Sequence, residues 1–158
     1  MRYFFVQILF ISVCGIACKS ANVLESGSIS DGIQFESPKK FEDALIRARS
    51  DNKLVFVEFY ADWCAPCKLM EQEVFSDKNI GEYFNKHFIN VKVDTEGKNG
   101  PDVAGIFQVN GMPTLLFLDG FGSVIERIEG AVFQEELINF AENALAQKST
   151  SNEQKDKP

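Results

Sequence analysis

Two cysteines one helical turn apart, Cys64 and Cys67 in Trp63-Cys64-Ala65-Pro66-Cys67, are the residues of this chain best suited to chemistry. They follow the apolar run Leu54-Val55-Phe56-Val57-Glu58-Phe59-Tyr60, which reads as a strand buried on both faces. A Cys-x-x-Cys that leaves a strand and opens a helix suits dithiol–disulfide exchange. The first sulfur is expected at an exposed helix N-terminus, where unpaired backbone N–H groups and the helix dipole favour thiolate. The second, three residues on, lies near enough to attack a mixed disulfide formed on the first.

Structural zinc is the chemical competitor for such a pair, and it needs two further Cys or His ligands at suitable spacing. His87 is the single histidine, and Cys14 and Cys18 lie in the N-terminal segment. No metal and no cofactor is therefore expected, and His87 reads as a surface residue at a helix end. No other cysteines remain to staple the fold, which excludes a disulfide-stabilised scaffold.

The elements that position this pair must come from one domain. The chain has 158 residues, 45% of them hydrophobic and fifteen of them phenylalanine, which is enough for one full core. Its net charge of −7 and the absence of any Lys/Arg cluster beyond Lys39-Lys40 exclude nucleic acid as a partner.

Met1-Arg2 precedes an apolar stretch over residues 3–17 that ends in small residues, which reads as a bacterial-type export signal. It is shorter than the roughly 20 apolar residues of a membrane span, which favours export over a retained anchor, the alternative for this stretch. Gly15-Ile16-Ala17 before Cys18 resembles a lipoprotein signal, which predicts a lipid on Cys18 and attachment to a membrane. Gly15 departs from the usual aliphatic residue of such signals, and ordinary cleavage would instead leave Cys18 a free thiol. Residues 18–31 read as a flexible tether, 32–147 as the folded domain and 148–158 as a disordered polar tail.

Within the domain, Ser37-Pro38 reads as a helix cap followed by proline, opening a helix over residues 38–50. A strand over 53–60 leads into the motif helix, and Ser76-Asp77 recaps a second helical stretch through Lys86. Residues 88–94 read as a strand and 101–108 as a helix with Val103, Ile106 and Phe107 inward. Residues 114–118 and 123–128 read as a hairpin turned by Asp119-Gly120. Phe133, Leu137, Ile138, Ala141, Ala144 and Leu145 mark a last amphipathic helix. Phe56, Phe59, Phe107, Phe117 and Phe133 are all expected in the core.

The order β-α-β-α-β-α-β-β-α resembles the thioredoxin fold, an α/β architecture with a central mixed β-sheet flanked by helices. Glu58-Phe59-Tyr60-Ala61-Asp62-Trp63-Cys64-Ala65-Pro66-Cys67-Lys68 and Gly111-Met112-Pro113-Thr114 carry the resemblance, which covers residues 33–147. Glu73-Val74-Phe75-Ser76-Asp77 and Val91-Lys92-Val93-Asp94-Thr95 are similar to an exported branch of that family. That branch includes the C-terminal periplasmic domain of transmembrane thiol-disulfide interchange proteins. The resemblance implies Cys64 as the attacking cysteine, Cys67 as the resolving one and Trp63 as a shield for the pair. It implies that Pro113 is a cis-proline turning the Met112 backbone toward an extended substrate. Glu58 stands where thioredoxins bury an Asp, which implies a role in taking the proton of Cys67. Asn90 stands where many of them place a lysine near that acid, so Glu58 is expected to lack a cation and to stay protonated.

Ala65-Pro66 contains no histidine to hold Cys64 as thiolate, which leans the site toward reducing protein disulfides. An oxidase or isomerase of the same fold, or a non-catalytic binding or chaperone module, are the alternatives. An exported reductase of this kind, acting as a monomer, draws its electrons from a membrane thiol carrier.

Overall fold

A computed structural model describes residues 31–155, and the export signal, Cys18 and the tether up to residue 30 lie outside them. The elements are α1 (Phe41–Ser50), β1 (Leu54–Tyr60), α2 (Ala65–Met70), α3 (Lys78–His87), β2 (Phe88–Asp94), α4 (Gly100–Ile106), β3 (Thr114–Leu118), β4 (Val124–Glu129) and α5 (Gln134–Lys155). A wider π-type turn, Glu71–Phe75, extends α2 before the chain breaks at Asp77. The Asp77 carboxylate accepts hydrogen bonds from the Asn79 and Ile80 N–H groups, so it recaps the helix as its sequence suggests.

The four strands form one mixed sheet in the order β2-β1-β3-β4. β1 runs parallel to β2 and antiparallel to β3, and β4 closes a hairpin with β3. The expected first strand is reduced to one bridge, Glu36 to Val91.

β1 reads as continuously apolar because both of its faces are covered. On one face Leu54, Phe56, Leu115 and Phe117 meet Met70, Phe75, Phe84 and Leu137 from the helices. On the other, Val55, Val57, Phe59 and Leu116 meet Ala44, Ala48 and Ala104. The ring of Phe56 lies 4.8 Å from that of Phe84 and 5.0 Å from that of Phe117, centroid to centroid. Alternation along β1 then fixes the placement of Glu58. It shares the face of Leu54 and Phe56, beneath α2.

Four local expectations change. Helix α1 starts at Phe41 with no side-chain cap, because the bridge at Glu36 and the proline after Ser37 hold the preceding chain extended. Ile106 is 73% exposed, and Ala104 takes the inward position of the short α4. Phe133 is 70% exposed, since Val132, one residue earlier, fills the core site. The polar tail continues α5 to Lys155. No Gly or Pro interrupts residues 148–155, and the Ser149 and Thr150 hydroxyls donate back to the Leu145 and Ala146 carbonyls.

Candidate active site

The two cysteines leave the C-terminal end of the central strand and open α2. They are joined as a disulfide with an S–S distance of 2.00 Å. Cys64 is the N-cap of α2, and the Cys67 backbone N–H donates to its sulfur at 3.2 Å. Pro66 needs no N–H partner in this first turn, which suits it to the position. Contrary to the expected exposed first sulfur, Cys64 keeps only 2% of its surface and Cys67 4%. Trp63, Ala65 and Pro66 occupy the exposed side instead.

Trp63 is 65% exposed, and its indole N–H donates to the Glu96 carboxylate at 2.8 Å. The loop after β2 thereby fixes the side chain preceding the dithiol. On the other side, the Met112–Pro113 peptide bond is cis. Thr114 pairs with Phe59, so continuing the register sets Pro113 opposite Tyr60, at the end of β1 from which the motif departs. The Thr95 hydroxyl lies 3.0 Å from both the Tyr60 carbonyl and the Met112 sulfur, tying the two edges together.

Glu58 has no exposed surface. It shares a cavity of about 200 Å³ with Cys67, Tyr60, Glu71 and Lys92. At some 30 Å³ per liquid water, the cavity has room for several waters between carboxyl and thiol. Contrary to the expectation from sequence, the residue that faces Glu58 from β2 is not Asn90. The parallel register pairs Glu58 with Lys92 and sets Asn90 two pairs away, opposite Phe56. Lys92 Nζ lies 3.2 Å from Glu58 Oε2, so the buried acid has a cation after all. Asn90 is buried and donates to the Asn85 side chain at 3.1 Å, a packing role at the far end of the strand.

The same ammonium also bonds Glu71, and it lies 5.2 Å from the Phe35 ring centre and 4.9 Å from that of Tyr60. Two rings and two carboxylates hold it in place. The contact with Glu58 is thus an ion pair between a fully buried carboxylate and a largely buried ammonium. Burial pushes the Glu58 carboxyl up to about 7, with Lys92 pulling against that rise and Glu71 adding to it. The expected raised affinity is present, but as a balance between burial and a cation.

Lys92, Glu71, Thr95 and Glu96 escaped the sequence reading. The strand register brings Lys92 and the loop path brings Thr95 and Glu96, neither written in residue spacing. Glu71, by contrast, lies one helical turn beyond Cys67, and that i,i+4 spacing could have found it. His87 lies against Tyr83 with ring centres 4.7 Å apart, at the end of α3. A wider cleft of about 410 Å³ follows the outer side of β2 and contains neither cysteine.

A family model, the Thioredoxin-like domain, matches residues 41–145. The thiol:disulfide interchange protein DsbD of Pseudomonas fluorescens is 31% identical over 100 residues, which cover 61% of this chain and 17% of that protein. Thioredoxin 1 of Chlorobaculum tepidum is 39% identical over 90 residues, covering 57% of this chain and 81% of its own length. Among solved structures, a Bacteroides thetaiotaomicron protein with a provisional disulphide-isomerase assignment superposes with a TM-score of 0.65. It is 38% identical, covering 73% of this chain and 95% of that one. With its cysteine pair at the end of the central strand and the matching fold around it, the chain belongs to the thioredoxin-like family.

Proposed function

We propose that this protein is an exported thiol-disulfide oxidoreductase that reduces protein disulfides through Cys64 and Cys67. The observation that carries the reading is the cysteine pair at the head of α2 with the buried Glu58 in the cavity behind Cys67.

The Cys64 thiolate, stabilised by the Cys67 N–H, attacks a substrate sulfur; the substrate disulfide breaks and its first thiolate takes a proton from water. Glu58 as carboxylate accepts the proton of Cys67 through the cavity. The Cys67 thiolate then attacks the Cys64 sulfur, releasing the second substrate sulfur as a thiolate, which takes up the proton that Glu58 gives back. Two electrons have passed to the substrate, and the protein is left as the Cys64–Cys67 disulfide. Trp63 shields the pair, and the Met112 backbone beside Pro113 offers an edge for β-type hydrogen bonds to an extended substrate.

The export signal and the similarity to an interchange protein support a place in the cell envelope, with a membrane thiol carrier as electron donor. No helix among the described residues is long and apolar enough to cross a membrane, and attachment through lipid on Cys18 is part of this reading. Labelling with a palmitate analogue checks this, and absence of label in the unaltered protein contradicts it.

Insulin reduction with dithiothreitol, lost in Cys64→Ser, tests the activity; equal rates for the two proteins would sink it. Redox titration against glutathione tests the direction. A potential near the thioredoxin value of about −270 mV is expected, and one near about −120 mV would make the protein an oxidant. The isomerase reading, favoured by the Bacteroides relative, requires a potential near about −180 mV.

A further inference from the structure

Leu69 and Phe133 are large apolar side chains left in water beside the dithiol, 47% and 70% exposed. Leu69 lies on α2, two residues beyond Cys67, and Phe133 ends the turn between β4 and α5. A dimple of about 30 Å³ lies between them, floored by Met70, Val74 and Val132. Single exposed apolar residues are ordinary, but here two meet across one depression. The core does not need Phe133, because Val132 already fills the inward site.

The turn that carries Phe133 is tied to the docking edge. The Gly130 N–H donates to the Pro113 carbonyl at 2.8 Å. Gln134 Nε2 donates to the Glu73 carbonyl at 2.5 Å, holding the start of α5 against the helix that carries the cysteines. The turn that begins beside Pro113 thus borders the dimple. Charge surrounds it on one side only. Glu73 is the charged residue in its lining, and Glu135 and Glu136 stand exposed in the first turn of α5.

Resting on the exchange reading above, we propose that Leu69 and Phe133 select reaction partners. The preferred partner carries an aliphatic side chain next to its reactive cysteine, followed by a basic residue. The dimple admits the tip of an aliphatic side chain and not a ring, and the three carboxylates favour the cation.

The test compares two synthetic peptide disulfides with hydroxyethyl disulfide, which has no side chain to dock. One peptide carries Leu-Lys beside its cysteine and the other Leu-Glu. Phe133→Ser and Leu69→Ser should each lower kcat/KM for the Leu-Lys peptide about tenfold relative to hydroxyethyl disulfide, chiefly through KM. Phe133→Met should recover most of the loss. The unaltered protein should favour Leu-Lys over Leu-Glu at least about threefold at low salt, less at high salt. Equal losses on peptide and small disulfide, or no preference between the peptides, overturn the proposal. A protein that reduces neither kind of disulfide overturns the exchange reading, and this proposal with it.

Discussion

A carboxyl group with no exposed surface beside a lysine is, in the proposed reaction, the proton acceptor at the residue scale. Burial alone would keep Glu58 protonated, and Lys92 alone would keep it ionised. The balance near 7 gives a group that both accepts and returns a proton at ordinary pH. Replacing Glu58 with Gln should slow resolution of the mixed disulfide about a hundredfold, the lower range for a proton-transfer group, while the first attack stays within about twofold. Stopped-flow traces that lose both steps equally would contradict this. Lys92→Met removes the cation, so the resolving step should need higher pH than in the unaltered protein; an unshifted pH profile would refute the pairing. The cysteines and Glu58 were legible because their types and spacing are themselves the signal. Lys92 was not, because the resemblance was laid on Asn90, two residues out of register, and only the Glu58–Lys92 pairing shows which side chain faces the acid.

At the scale of elements, legibility followed the strength of local pattern. The seven residues of β1 have one apolar reading, and Asp77 has one capping reading. Phe133 and Ile106 misled because an apolar residue in a helical pattern was assumed to face inward, whereas Val132 and Ala104 take those places. The tail misled for the opposite reason. Without apolar residues it looked structureless, yet nothing in it stops a helix already begun. The loop between β2 and α4 is the element whose path matters most, since it carries Thr95 and Glu96 to the site. Its closure depends on Gly100, where a Cβ would lie 1.7 Å from the Asp94 carbonyl oxygen. Gly100→Ala should therefore cost about 2 kcal/mol or more in urea unfolding. It should also change the fluorescence of Trp63, the single tryptophan, by releasing its bond to Glu96. A variant with unaltered stability and emission would show that the loop is not held there.

Across the whole molecule, one buried acid couples stability to pH. Below its ordinary value of 4.5, Glu58 is protonated both folded and unfolded and costs nothing. As pH rises from there to about 7, the unfolded chain ionises first, so the fold loses stability through that window and then levels off. The loss assigned to Glu58 is on the order of 3 kcal/mol. Urea midpoints at pH 5 and pH 8 should differ more in the unaltered protein than in Glu58→Gln; equal differences would contradict the buried-acid account. The sheet order makes this cost serve the site. β1 is flanked by β2 and β3, so the acid, its lysine and the proline edge all reach the end of one central strand.

The division of labour between the two sulfurs is tested most directly by trapping. Cys67→Ser, incubated with a peptide disulfide and quenched in acid, should give one stable mixed disulfide, mapped to Cys64 by mass spectrometry. Cys64→Ser should give none on the same timescale. An adduct on Cys67 in that variant, forming as fast as the Cys64 adduct, would contradict the assignment of attacking and resolving cysteines.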